Sequence, residues 1–220
     1  MKNYTHVIFD FNGTVFDDMQ AGIDAINEML RERGLPMIAS VSEYREIFGF
    51  PVEDYYQRLG FDFEKEDFKT VLAPMWVERY LLHSRSSQLF SGVAPLVHSL
   101  RAAGKHCSIL SASHSDMLRE QLSERGGEGW FDEIWGTDSI HAYGKDALAA
   151  SWRAAHPKAL AVVLGDTTHD FEVARAMGAD CILIAAGHQS KQRLLRCGVP
   201  VVDMLADCLP LLLSDAYREL

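Results

Sequence analysis

The 220-residue sequence is poor in the residues that staple or interrupt a fold. It holds four cysteines, Cys107, Cys181, Cys197 and Cys208, and no Cys-x-x-Cys pair. A disulfide framework or a structural zinc site needs more than that, so the thiols read as buried and reduced, which points to the cytoplasm. Seven prolines and sixteen glycines form no low-complexity or Gly/Ser-rich tract, which excludes collagen-like and disordered classes. No apolar run approaches the roughly 18 residues that a membrane span needs. The amino end, MKNYTHVIFDF, turns into a strand-like run with an aspartate, so no secretory signal is expected there. Positive charge is also short: 21 Lys and Arg stand against 31 Asp and Glu, a net charge of −10. A general binder of nucleic acid or anionic membrane is excluded on that balance. An anionic small substrate remains compatible, because a local site overrides a global field.

What is present is a core-forming composition, 48% hydrophobic and 24% charged. THVIFDF (5–11) reads as a buried strand. From about residue 17 to 34, Ile23, Ile26, Met29 and Leu30 recur at helical spacing, and the stretch from about 41 to 84 is helical and rich in charge. From about residue 92 the rhythm changes to alternating helices and strands. The strands are HCSILSAS, WFDEIWG, ALAVVLGD, DCILIAAG and VPVV, with a last helix after them. This pattern argues for an α/β fold, a doubly wound parallel sheet of Rossmann-like form with helices on both faces. The helical stretch is inserted after the first strand. Two units are therefore expected: an α/β core of residues 1–15 and 85–220, and a helical-bundle cap of residues 16–84, with hinges near 14–19 and 83–91.

Sites in parallel sheets gather beyond the carboxyl ends of the strands. There the sequence delivers Asp10-Phe11-Asn12-Gly13-Thr14, then Ser111-Ala112-Ser113, then Gly144-Lys145-Asp146 before a helix, then Gly165-Asp166-Thr167-Thr168-His169-Asp170. Carboxylates crowded on one rim repel unless a cation joins them, and a hard divalent ion, Mg²⁺ above all, suits oxygen ligands. A lysine beside such a site suits an anionic group, most simply phosphate.

DFNGT, ILSAS, GK and GDTTHD, in that order, resemble the four-part signature of the haloacid dehalogenase superfamily. The insertion resembles its bundle-type cap. Gly49-Phe50-Pro51, SGVAPLVHSLRAAG and MGADCILIAAG resemble its phosphoglycolate-phosphatase-like branch. The resemblance implies an Mg²⁺-dependent phosphatase acting on a small phosphorylated metabolite. In it Asp10 is the nucleophile that forms an aspartyl-phosphate, and Asp10, the Asn12 carbonyl and Asp166 hold Mg²⁺, with Asp170 orienting Lys145 or a metal-bound water. Ser111 hydrogen-bonds a phosphoryl oxygen beside Ala112. Lys145 neutralises charge on Asp10 and phosphate, and the amides at Gly13 and Thr14 face the phosphate. A monomer or a homodimer is compatible with all of this.

Asn12 departs from the pattern, since the phosphatases of this family carry an acid–base aspartate there. An amide shuttles no proton, and general acid–base catalysis is worth about two to four decades of rate. Acyl or aryl phosphates with good leaving groups would suffer less, and a slow second step would favour phosphotransfer. Other readings remain open. One is a carbon–phosphorus hydrolase using a cap lysine, for which Lys65 and Lys69 are the only lysines in the cap. Others are dehalogenation, a replacement of the kind that traps complexes, a substitute acid–base at His169 or His114, and a module that binds a phosphorylated ligand or a partner protein without turnover. Ser111 or Ser113 is also a natural N-cap for DMLREQL. His83, His106, His141, His156 and His188 show no ligand-like spacing. The aromatics Tyr55, Tyr56, Phe61, Phe63, Phe68 and Trp76 read as cap core, while Phe50 is placed to face the cleft and Arg45 or Arg58 to meet a second substrate charge.

Overall fold

A computed structural model describes residues 3–137 and 145–213. Gly144 and His141 lie outside the described residues. Six parallel strands form one sheet: β1 (His6–Phe9), β4 (His106–His114), β5 (Glu133–Thr137), β6 (Ala161–Gly165), β7 (Asp180–Ile184) and β8 (Val201–Val202). Their order is β5-β4-β1-β6-β7-β8, with every neighbouring pair parallel. The six strand-like runs in the sequence are these six strands. Two short strands, β2 (Phe16–Asp17) and β3 (Gln88–Leu89), pair antiparallel in a separate ribbon.

Alternation sorts the side chains onto two faces, as a sheet covered on both sides requires. Val7 and Phe9, Val162 and Leu164, and Ile182 and Ile184 join one buried cluster, with Val93, Leu96, Val97 and Leu100 of α5 (Val93–Ala102). α6 (Ser115–Ser123) and α10 (Leu209–Leu212) lie on that side. Ile8, Val163, Cys181 and Leu183 face the other way, against Trp152 of α7 (Lys145–Ala155), Val173 and Ala174 of α8 (Thr168–Met177) and Leu194 of α9 (Lys191–Leu195). Cys107, Cys181 and Cys208 are buried free thiols. Burial pushes the Cys107 and Cys208 thiols up to about 12.

Between β2 and β3 the chain builds a helical lobe from α1 (Met19–Glu32), α2 (Val41–Ile47), α3 (Val52–Arg58) and α4 (Ala73–His83). Its core is its own: Ile23, Ile26, Met29 and Leu30 pack on Tyr44, Tyr55, Tyr56, Phe61 and Leu72, with Phe63, Phe68 and Trp76 against them. Arg33 holds Glu66 through two hydrogen bonds of 2.6 Å. Lys65 is 80% exposed and paired with Asp62, and Lys69 is exposed as well. No helix among the described residues is long and apolar enough to cross a membrane.

Candidate active site

The sheet order reverses about β1, and the site lies beyond the carboxyl ends of the strands around it. β1 stops at Phe9, and the Asp10 amide donates to the Leu164 carbonyl at 2.8 Å. Phe9 is in register with Leu164, so β6 delivers Asp166 next to Asp10. Lys145 opens α7 and is buried. Its ammonium donates to Asp10 Oδ1 at 2.5 Å and also to Asp170 Oδ1. Asp170 is fixed by local chemistry. Thr167 is the N-cap of α8 and Asp170 the third helical residue, and the two form a reciprocal capping box. The Thr167 amide and hydroxyl both donate to Asp170 Oδ2, at 3.0 and 2.7 Å. Asp166 accepts the Thr14 hydroxyl at 3.2 Å and the His188 amide at 2.6 Å.

The charges on this side do not balance. Three carboxylates, Asp10, Asp166 and Asp170, bring oxygens within 4.8 Å of one another. Burial, with Asp170 and Asp166 beside it, pushes the Asp10 carboxyl up against the pull of Lys145. Burial likewise raises Asp166, to about 6. Asp170 would be raised by burial too, but Lys145 and Thr167 hold it low. A hard divalent cation would supply the missing charge, and the donor set is all oxygen, so the residues fit Mg²⁺. Two glycines make the room. A Cβ on Gly13 would come within 2.3 Å of Asp166 Oδ2, and one on Gly187 within 2.2 Å. Gly13 also has φ of +73°, which favours glycine.

A second cluster faces the helical lobe. The Asn12 amide nitrogen donates to Asp18 Oδ2 at 2.7 Å and to the Tyr80 hydroxyl at 2.8 Å. Tyr80 donates in turn to Asp18 Oδ2 at 2.6 Å. The Gly13 amide donates to Asp18 Oδ1 at 2.9 Å, and His188 Nε2 lies 3.3 Å from the same oxygen. Tyr44 OH meets His188 Nδ1 at 2.8 Å. Burial works against the His188 imidazolium, but Asp18, Asp166 and Asp10 raise it to about 9. Burial would raise Asp18, yet hydrogen bonds from His188, Tyr80 and Asn12 keep it below its ordinary value.

The structure therefore brings together Asp10, Lys145, Asp166 and Asp170, with Thr14 bonded to Asp166. Ser111 is buried and accepts the Ser113 amide at 3.1 Å, while Ser113 donates its hydroxyl to Asn12 Oδ1 at 2.9 Å. The Ala112 carbonyl accepts from Thr137 at 3.3 Å. Several expectations need correction. The Gly13 amide is spent on Phe16 O and Asp18, and that of Thr14 on Phe11 O, because the loop closes on itself. Neither Ser111 nor Ser113 caps α6, since β4 runs on to His114 and the His114 ring accepts the Asp116 amide. His114 is thereby engaged, and His169 stacks on Phe50 with ring centres 4.7 Å apart. Arg45 spends its guanidinium on the Ala186 and Gly187 carbonyls, and Arg58 reaches the Ile47 carbonyl. Sequence reasoning missed Asp18, Tyr80, Tyr44 and His188. The one local signal was the Asp17-Asp18 pair just after the Gly13-Thr14 turn.

The family model described as haloacid dehalogenase-like hydrolase matches residues 7–184. Curated relatives include the tyrosine-protein kinase PtkA of Mycobacterium tuberculosis, 26% identical over 186 residues, 83% of this chain and 62% of that protein. The chain thus spans less than two thirds of the length of that relative. The phosphoglycolate phosphatase of Xanthomonas campestris pv. campestris is 26% identical over 189 residues, 83% of this chain and 84% of that protein. Among solved structures, a haloacid dehalogenase-like hydrolase from Streptococcus pneumoniae superposes with a TM-score of 0.77 at 21% identity, over 97% of this chain and 100% of that one. At that identity the likeness speaks for the fold.

Proposed function

The chain belongs to the haloacid dehalogenase-like hydrolases, and from that premise we propose that it is a cytoplasmic, Mg²⁺-dependent phosphatase acting on a small phosphorylated metabolite through an aspartyl-phosphate at Asp10. The observation that carries the reading is the Asp10–Lys145–Asp170 chain, its lysine and Asp170 buried, with Asp166 beside it. Asp10, Asp166 and the backbone carbonyl of Asn12 would hold the cation, which would supply charge neutralisation between two anions when bound. Asp170 supports this division of labour, because Lys145 and Thr167 occupy both of its oxygens. It positions the lysine.

An Asp10 oxygen attacks phosphorus, the bond from phosphorus to the leaving oxygen breaks, and that oxygen takes a proton from solvent, which the water consumed in the next step returns. Water then attacks phosphorus, the bond to Asp10 breaks, and phosphate and the Asp10 carboxylate are released. Lys145 keeps its ammonium on the Asp10 oxygen and offsets phosphoryl charge. The helical lobe acts as a cap, residues 16–84, that excludes water and sets specificity. The phosphoglycolate phosphatase named among the relatives supports phosphoglycolate, a small two-carbon phosphate, as the first substrate to try.

One observation favours a second reading. Asn12 cannot give or take the proton, and its amide is pinned by Asp18, Tyr80 and Ser113. Release of the phosphoryl group to water is then slow, which favours transfer to another acceptor or the use of acyl phosphates. The kinase name carried by another relative is compatible with that alternative.

The test is phosphate release from acetyl phosphate, p-nitrophenyl phosphate and phosphoglycolate, with Mg²⁺ and with chelator. Release that needs Mg²⁺ and disappears in Asp10→Asn is expected. Release that survives Asp10→Asn, or none from any of the three with Mg²⁺ shown to bind, removes the reading.

A further inference from the structure

The residue at position 12 is explained by a neighbour six positions on. Asp18 is 2% exposed, and its two oxygens face four donors: the Asn12 amide nitrogen, the Tyr80 hydroxyl, the Gly13 amide and the His188 ring. An ionised carboxylate only accepts, so the side of Asn12 that faces it must be the NH₂. That leaves Asn12 Oδ1 for the Ser113 hydroxyl, and Ser113 does donate to it at 2.9 Å. The orientation of the amide is thus fixed from both ends.

A carboxylate placed there would meet the Asp18 carboxylate at the 2.7 Å now spanned by a hydrogen bond. Tyr80 cannot relieve the clash. It has one proton, and Asp18 already takes it at 2.6 Å. Two like charges in contact in a buried site are strongly unfavourable.

We propose that Asp18 is a positioning residue that makes position 12 an amide: it holds Asn12 by its NH₂ and excludes a carboxylate there. Asn12 and Asp18 are one unit, and replacing either alone breaks it. Asn12 is accordingly native to this pocket, whose donors and acceptors are arranged for an amide. For its activity arm this inference rests on the phosphatase reading, whereas its stability arm does not.

The experiment is a double-mutant cycle on the full chain with Asn12→Asp, Asp18→Asn and the two together, read by thermal unfolding and by kcat and KM on phosphoglycolate and p-nitrophenyl phosphate. Asn12→Asp alone is expected to lower the melting temperature and to gain little rate. The double variant is expected to recover most of the melting temperature, because one amide and one carboxylate face each other again in exchanged places. It also carries a carboxyl group beside the leaving group. Its kcat on phosphoglycolate should then rise by about two decades or more, with a smaller rise on p-nitrophenyl phosphate, whose leaving group needs less protonation, and with KM nearly unchanged. A purely structural role for Asp18 would not produce that dependence on leaving group. If Asn12→Asp alone is as stable and as fast as the double variant, Asp18 exerts no hold and the proposal fails. If the stability coupling appears while no variant releases phosphate, the pairing stands and the phosphatase reading falls. If Asn12→Asp does not fold while the double variant does, the coupling is established in its strongest form.

Discussion

Two halves of one site are built on different principles. Toward the sheet, Asp10, Asp166, Asp170 and Lys145 form a cluster with more negative than positive charge, which a cation would balance. Toward the lobe, Asp18, Asn12, Tyr80, His188 and Tyr44 form a cluster in which the donors and acceptors named above are matched and the one carboxylate faces an imidazolium. The first is held by secondary structure, since strand ends and a helix start present its residues. The second is held by tertiary contact between elements far apart in sequence. An unbalanced cluster is suited to binding something, and a balanced one to holding a geometry.

The sharpest way to break this contrast is to remove the nucleophile. Asp10→Asn should abolish Mg²⁺-dependent phosphate release, by about four decades or more, while the melting temperature holds or rises because a buried negative charge is gone. A clear loss of stability would mean that the sheet-side cluster is structural after all.

Lys145→Met comes next. It leaves Asp10 and Asp170 facing each other without a counter-charge, and breaking such a buried pair costs about 3–5 kcal/mol. Added Mg²⁺ should restore part of that loss in unfolding experiments. A deficit indifferent to Mg²⁺ would separate the lysine from the cation.

Mg²⁺ itself should stabilise the unaltered protein by about 2.7 kcal/mol at a hundredfold excess over its dissociation constant. Asp166→Asn should lose most of that increment, and Asp18→Asn should keep it. Equal losses would merge the two halves into one.

On the lobe side, Tyr80→Phe removes a hydroxyl that links Asn12 to Asp18. A cost of about 1–3 kcal/mol is expected for the groups left unpaired, with the Mg²⁺ increment intact. The smallest effect belongs to Phe50→Ala. That ring is 41% exposed and stacks on His169, so about 1 kcal/mol or less is expected, seen in KM more than in stability.

The same contrast explains what could be read from the sequence. β1, β4, β6 and β7 carry β-branched and apolar runs buried on both faces, and the turns after β1 and β6 announce themselves with Asp-x-x-Gly-Thr and Gly-Asp. Asp10 and Asp166 were legible because each closes such a strand, and Lys145 and Asp170 because each stands in the first turn of a helix. Asp18, Tyr44, Tyr80 and His188 come from four separate segments, and no spacing within any one of them signals a partner in another. Arg45 shows the same limit. As a lone charge on a helix it looked free for a ligand, but it is committed to two backbone carbonyls in the loop after β7. The N-cap of α6 was misplaced because β4 continues, past a register irregularity, through Ser111 and Ser113 to His114. The β2–β3 ribbon, two residues to a strand, is too short to leave any pattern.

That ribbon has a mechanical consequence. The chain enters the lobe at Phe16–Asp17 and leaves it at Gln88–Leu89, and these segments are paired, with Phe90 bonded back to Val15. Arg125 clamps the exit by donating to the Ser84, Arg85 and Ser87 carbonyls, and it lies over the Phe16 ring. Two connections fastened side by side would act as one pivot, so the lobe is hung like a lever on a single fulcrum. Travel along a lever grows with distance from the fulcrum. In any swing of the lobe Asp18, one residue from the ribbon, would have the shortest arm and would stay with Asn12, while the contacts of Tyr44 with His188 and of Arg45 with Gly187 would be the ones to part. A door hung this way would open at its far edge and keep its grip near the hinge.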